Sequence, residues 1–168
     1  YGLNDKIDVR CGNGLEIIKD SEIIDTIIIS GMGGLLTIDV LKSNEKAVKN
    51  ANQLILQPQR DIEKVRAYLH SINYKIINEE MLMESGKYYT IINAVKGSDE
   101  EYSEIEYYFG KFLLNKKSAV LKKFIDHEYK KINIVLDNIS NNAVENADER
   151  ISQLKHLKSL YEEALKCL

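Results

Sequence analysis

The 168 residues carry 23 lysines and arginines against 26 aspartates and glutamates, and 44% of the chain is hydrophobic. That balance suits an ordinary globular chain; it excludes global disorder and a whole-chain basic field, leaving only a local basic stripe as a route to nucleic acid. Cys11 and Cys167, and His70, His127 and His156, are too scattered for metal-ligand spacing, and there is neither an 18-residue apolar run nor a signal-peptide pattern; the expectation is no metal, no structural disulfide, no membrane and a cytoplasmic location.

The first elements read as strands alternating with helices. Residues 6–10 read as a strand and residues 14–19 as the opening of a helix. Residues 25–30, Asp-Thr-Ile-Ile-Ile-Ser, read as a parallel strand buried on both faces, leading through Gly31-Met32-Gly33-Gly34 into a helix over 35–41. Glycines at the carboxyl end of such a strand let backbone approach a ligand closely, although a tight connection that binds nothing gives the same pattern. Residues 53–57 read as another buried strand. Residues 61–72 read as an amphipathic helix with Asp61 as N-cap and Asn73 near its end. Pro58 is the only proline. This βαβα rhythm predicts a parallel sheet, and residues 74–83 and 87–95 around Glu84-Ser85-Gly86 predict an antiparallel hairpin that closes it.

The pattern changes near residues 97–101, which suggests an α/β domain over 1–98 and an all-α domain over 99–168. Ile125, Tyr129, Ile132, Leu136 and Ile139 lie 4, 3, 4 and 3 residues apart, a spacing that Leu154, Leu157, Tyr161, Ala164 and Leu168 repeat in kind. Two such seams around an asparagine-rich break at 140–148 predict an antiparallel coiled-coil hairpin. Lys116, Lys123 and Lys130 follow seven-residue steps, flanked by Lys117, Lys122 and Lys131, and between 111 and 131 only Asp126 and Glu128 oppose them. One basic face of this kind suits phosphate contacts, while a merely solvated face is the other reading. Tyr107, Tyr108 and Phe109 read as junction core, and His127 as a surface or seam residue.

Four motifs in order, Cys11-Gly-Asn-Gly-Leu-Glu-Ile-Ile, Ile29-Ser-Gly-Met-Gly-Gly, Leu54-Ile-Leu-Gln-Pro-Gln and Gly86-Lys-Tyr-Tyr, resemble the later part of a Rossmann-like class I S-adenosylmethionine-dependent methyltransferase. More specifically the chain resembles the bacterial tRNA adenine-22 N1-methyltransferase family, over essentially its whole length. The resemblance implies S-adenosyl-L-methionine as cofactor and tRNA as partner. It implies that Gly12, Asn13 and Gly14 contact the cofactor's adenine, although a plain turn with Asn13 as N-cap would look the same. Gly31, Met32, Gly33 and Gly34 would form the wall between methyl donor and target base. Gln57, Pro58 and Gln59 would read the target adenine, or else merely be solvated after a strand. Tyr88 or Tyr89 could stack on a base or simply pack in the sheet, and Lys116, Lys117, Lys123 and Lys130 would meet RNA. Adenine N1 already has an available lone pair, so such a site has mainly to orient a flipped base in line with the methyl group, an effect that can reach roughly 7–11 kcal/mol.

Two departures from the family pattern stand out. The family usually has asparagine where this chain has Gln59. The family's first strand and glycine-rich turn, and its second strand with the ribose-binding acid, have no counterpart here. The chain therefore reads as an incomplete sheet, a fragment inactive alone, with residues 1 to about 20 displaced, packed differently or paired with another chain, in a homo-oligomer or through the incomplete sheet. The alternative is a non-catalytic module that binds nucleic acid or protein through the helical hairpin. A nicotinamide-dependent enzyme is a weaker fit, because Gly-x-Gly-x-x-Gly is absent.

Overall fold

In the computed structural model, which describes residues 2, 5–141 and 148–168, the β-branched run Thr26–Met32 forms β1 and Gln53–Pro58 forms β2. They pair in parallel, with Thr26 opposite Gln53 and Ser30 opposite Gln57. Between them lie α1, Gly34–Lys42, and α2, Glu45–Asn50. The short α2, which the sequence pattern does not predict, starts where the Asn44 side chain accepts the Ala47 N–H at 3.0 Å. After β2 come α3, Ile62–Ser71, and the strands β3, Tyr74–Glu84, and β4, Lys87–Lys96. Ser85 and Gly86, both with left-handed φ, form the two-residue hairpin turn. The sheet runs β1-β2-β4-β3, and β4 pairs antiparallel to β2 with Leu56 opposite Ile92.

The chain divides into two compact units, residues 1–77 with 92–98, and residues 78–91 with 99–168. In the first, Leu54 and Leu56 of β2, Ile92 and Ala94 of β4, Val65 and Leu69 of α3, and Leu41 of α1 are fully buried. Burial of such side chains, each contributing about 1.5–3 kcal/mol, makes β2 the most protected strand. β1 is different. Ile27 and Ile29 are buried but Ile28 is 67% exposed, so this strand is covered on one face only. Nor do residues 6–10 form a strand; they are exposed, with Val9 at 88%, and no described strand pairs with them to satisfy their backbone. The expected helix at 14–19 is a single 3-10 turn, Gly14–Ile17. Asp61 precedes α3 but caps nothing with its side chain; its backbone is left-handed and its carboxylate accepts from Lys64 Nζ at 2.7 Å.

The second unit holds α4, Glu104–Phe109, α5, Lys111–Asn115, α6, Ala119–Asn141, and α7, Asp148–Cys167. All ten residues of the two 3-and-4 seams belong to one apolar cluster, joined by Phe109, Leu113 and Leu121. Phe109 packs on Tyr161 with ring centroids 5.2 Å apart, and Tyr129 Oη donates to Glu162 Oε1 at 2.8 Å. Burial and the neighbouring Glu128 push the Tyr161 hydroxyl up to about 12, so it stays protonated. Residues 142–147 of the expected break lie outside the described residues. No described helix is long and apolar enough to cross a membrane.

Candidate active site

The carboxyl ends of β1 and β2 bring two of the predicted motifs together. Ser30 faces Gln57 and Met32 faces Pro58, which leaves Gly31 as an extra residue, a bulge with φ +80° that favours glycine. The Gln57 side chain holds this bulge from the neighbouring strand. Its Oε1 accepts the Gly31 N–H at 2.9 Å and the Ser30 hydroxyl at 3.1 Å. A backbone N–H can only donate, so the amide is oriented with its oxygen toward the bulge, and Nε2, whose one contact is Pro58 O at 3.5 Å, is the donor left for a ligand. Gln59 is exposed, and its side-chain amide bonds no described residue.

Beyond the sheet the two segments remain joined. Gln59 N–H donates to Met32 O at 2.8 Å, and Gly34 N–H donates to Arg60 O at 2.9 Å. Gly34 can have no side chain here, since a Cβ would stand 2.5 Å from both Arg60 O and Asp61 O. At Gly31 the opposite holds: no described atom lies within 4 Å of where a Cβ would be. The residues that follow the bulge in the chain include three apolar side chains that stay exposed, Met32, Leu35 and Leu36, the last at 53%. Exposed apolar groups of this kind together with free amide groups suit a planar heterocycle, with polar groups for its edge and apolar surface for its face.

Gly12, Asn13 and Gly14 lie in a separate loop that leads into the 3-10 turn packed on α1. Gly12 lies too close to Ile17 to admit a Cβ, Gly14 lies against Val40, and Asn13 Nδ2 donates to Glu16 Oε1 at 3.0 Å rather than capping. Arg10 brackets this loop by bonding Asp8 and Glu22, and its guanidinium, helped by the Lys19 N–H, holds the Glu22 carboxyl down at about 2. No hydrogen bond joins the loop to the glycine bulge among the described residues.

Asn44, which sequence reasoning passes over, ties the loop to the helices. Its Nδ2 donates to Leu15 O at 3.2 Å and Ile18 O at 3.1 Å while its Oδ1 caps α2. The signal was present in an asparagine standing just before Glu45 between two helical runs. Asn44→Ala removes a cap and two carbonyl partners, so urea denaturation should show a loss of about 1–2 kcal/mol. Amide exchange over residues 15–18 should accelerate more than exchange in β2.

The predicted RNA-contacting residues lie in the second unit. Lys123 and Lys130 are exposed on α6, one helical face apart by seven residues, and His127 lies exposed between them. Lys116 and Lys117 do not continue that face. They precede α6 in a turn where Lys117 has φ +49°, and Lys116 Nζ is paired with Glu80 Oε1 at 2.6 Å, holding that carboxyl below its usual range. The seven-residue count fails because the helix does not extend back through residue 118. The Tyr88 ring packs edge-on against Phe124 at 5.3 Å, half-buried, and Tyr89 is half-buried too.

Comparisons with known proteins agree on one relationship. The family model for tRNA (adenine(22)-N(1))-methyltransferase matches residues 1–160. The tRNA (adenine(22)-N(1))-methyltransferase of Bacillus subtilis (strain 168) is 34% identical over 170 residues, covering 98% of this chain and 71% of the relative. Among solved structures, an uncharacterized protein from Listeria monocytogenes serotype 4b superposes with a TM-score of 0.91 at 34% identity, covering 98% of this chain and 73% of that one. Streptococcus pneumoniae Sp1610 in complex with S-adenosyl-L-methionine gives a TM-score of 0.85 at 29% identity, covering 98% and 71%.

Proposed function

The chain belongs to the tRNA (adenine(22)-N(1))-methyltransferase family, whose activity is methyl transfer from S-adenosyl-L-methionine to N1 of adenine 22 in tRNA, and we propose that the target adenine is read at the Gly31 bulge. The single observation behind this reading is the Gln57 amide, whose oxygen is spent on Ser30 and Gly31 and whose nitrogen, with only a long 3.5 Å contact to Pro58 O, is left to donate. A donor at that point suits a ring-nitrogen acceptor of adenine. The exposed Gln59 carbonyl suits the exocyclic amino group. That second bond strengthens during reaction, because positive charge spreads from N1 onto the amino nitrogen as the methyl group transfers. Pro58 keeps the two amides at a fixed separation, while Met32, Leu35 and Leu36 cover the ring.

The loop at Gly12, Asn13 and Gly14 has bare backbone at its two glycines that suits the edge of the cofactor's adenine, and Gly31 and Gly33 keep the wall between donor and target thin. When bound, the cofactor supplies the electrophilic methyl group; the chain's residues orient the base toward it and exclude water. We assign residues 1–98 to the methyltransferase sheet and residues 99–168 to a coiled-coil hairpin that contacts tRNA phosphates through Lys123 and Lys130, with the Lys117 side chain as a further cation and Lys116 through its Glu80-paired ammonium. The protein acts in the cytoplasm, where its tRNA substrate is.

Two variants of the full-length protein test this division of labour. Lys123→Glu with Lys130→Glu should weaken tRNA binding by about tenfold and lower the slope of log affinity against log salt by about 2, with kcat near wild type. Gln57→Ala should lower kcat and leave tRNA binding within about threefold. Filter binding and tritium incorporation separate the two; a kcat loss through the lysines with unchanged binding would overturn the assignment.

A further inference from the structure

The four arginines are differently employed. Arg10 is bonded to Asp8 and Glu22, Arg66 is buried and engaged, and Arg150 bonds Gln153. Arg60 is exposed and its guanidinium bonds no described residue. Asp61, the acid next to it, is already paired with Lys64 at 2.7 Å. Neither Arg60 nor Arg150 has a carboxylate partner among the described residues, and Arg60 is the one of the two whose stem lies over the glycine turn.

Its main chain is one of the best fixed points around the bulge. Gln59 N–H bonds Met32 O and Gly34 N–H bonds Arg60 O, so residue 60 is held against the glycine turn from both sides. The side chain then crosses Gly33, where Arg60 Nε lies 3.3 Å from the place a Cβ would take. Lacking that Cβ, Gly33 leaves a shelf for the stem of the arginine. The stem of the arginine thus lies over Gly33, within the segment that the Gln59 N–H to Met32 O and Gly34 N–H to Arg60 O bonds hold beside the bulge.

We propose that Arg60 is a positioning residue that grips a backbone phosphate of the tRNA strand beside the target adenine. This rests on the reading that the Gly31 bulge receives that base. A base drawn out of its stack brings its own phosphates to the rim of the pocket, where they carry charge and no partner. A guanidinium matches two phosphate oxygens at once, fixing the angle at which the nucleotide enters as well as holding it, which a lysine does not reproduce. Phosphate contacts of this kind set register without reading sequence.

The test uses the full-length protein and an unmodified tRNA transcript containing the target adenine, with wild type and three variants: Arg60→Ala, Arg60→Lys and Gln57→Ala. Arg60→Ala should raise KM for tRNA about tenfold, keep kcat within about threefold and lower the salt slope of 1/KM by about 1. Arg60→Lys should fall between, and calorimetric titration of S-adenosylhomocysteine should give the same Kd for all arginine variants. An unchanged KM for tRNA in Arg60→Ala would overturn the proposal, and so would a weakened S-adenosylhomocysteine Kd, which would place the guanidinium on the methyl donor. Gln57→Ala at wild-type kcat would instead overturn the reading of the bulge itself. Arg60 is exposed and its side chain bonds no described residue, so its variants should melt within about 2 °C of wild type, and the KM comparison is made on folded protein.

Discussion

Gly34→Ala is expected to lower the melting temperature by roughly 2–12 °C and to abolish most methyl transfer, although the substitution is small and lies at the start of a helix where alanine is normally welcome. The reason is the 2.5 Å distance from the would-be Cβ to both Arg60 O and Asp61 O. Both obstacles are backbone, so neither can rotate away. Either α1 or the turn at 60–61 has to move, and the Gly34 N–H to Arg60 O bond at 2.9 Å is lost in the movement. Forcing a methyl group into such a contact costs about 1–3 kcal/mol. For a chain of this size each kcal/mol corresponds to about 2–4 °C, which gives the range stated. Activity should suffer more than stability, because the same displacement separates Gln59 and Arg60 from the glycine turn.

The neighbouring glycine supplies the control. Gly33 has an ordinary φ of −66°, and a Cβ there would meet only the Arg60 side chain, at 3.3 Å to Nε, which can swing aside. Gly33→Ala should melt within about 2 °C of wild type. Differential scanning calorimetry on the two variants distinguishes a fold constraint at 34 from a site constraint at 33. Equal losses in both would mean that the glycine turn as a whole, rather than the approach to residues 60–61, sets the packing.

The strand ends that make up this candidate site were legible in the sequence because their punctuation is local. A β-branched run followed by Gly31-Met32-Gly33-Gly34, and a second apolar run followed by Gln57-Pro58-Gln59, each name a strand end from a few residues. Their pairing is the natural consequence of two parallel strands. What was not legible depended on partners or phase. Residues 6–10 alternate as a strand should, yet alternation makes a strand only where another edge can bond it, and Val9 stands 88% exposed. Ile28 sits in an unbroken apolar run but on a strand covered on one face only. Lys116 belongs to the seven-residue count only if one helix runs through it, whereas Lys117 has a left-handed backbone that resets the phase before α6. Asn44 and Arg60 also act through contacts with residues 26 to 29 positions away; the cap at Asn44 is signalled locally, but nothing adjacent in the chain announces those distant contacts.

Gln57→Ala should lower kcat by about 10²- to 10³-fold, the effect of removing one preorganised donor aimed at reacting charge or its positioning edge. The substitution removes two functions together, however. The Gly31 N–H and the Ser30 hydroxyl lose the acceptor at 2.9 and 3.1 Å, and the target loses the Nε2 donor. Gln57→Glu separates them. A carboxylate has the same length and still accepts from Gly31 and Ser30, so the bulge should keep its shape and the protein its melting temperature. It presents no N–H, and it turns a lone pair toward the ring nitrogen that the amide would have bonded. If orientation of the adenine by that donor is what the residue contributes, Gln57→Glu should fall nearly as far in kcat as Gln57→Ala while S-adenosylhomocysteine binding is unchanged. If kcat instead stays near wild type in the glutamate variant, the side chain serves only to hold the bulge, and the donor to adenine has to be sought elsewhere on the rim. Measured as initial rates of N1-methyladenosine formation at saturating tRNA, the two variants decide between holding the strand and holding the base.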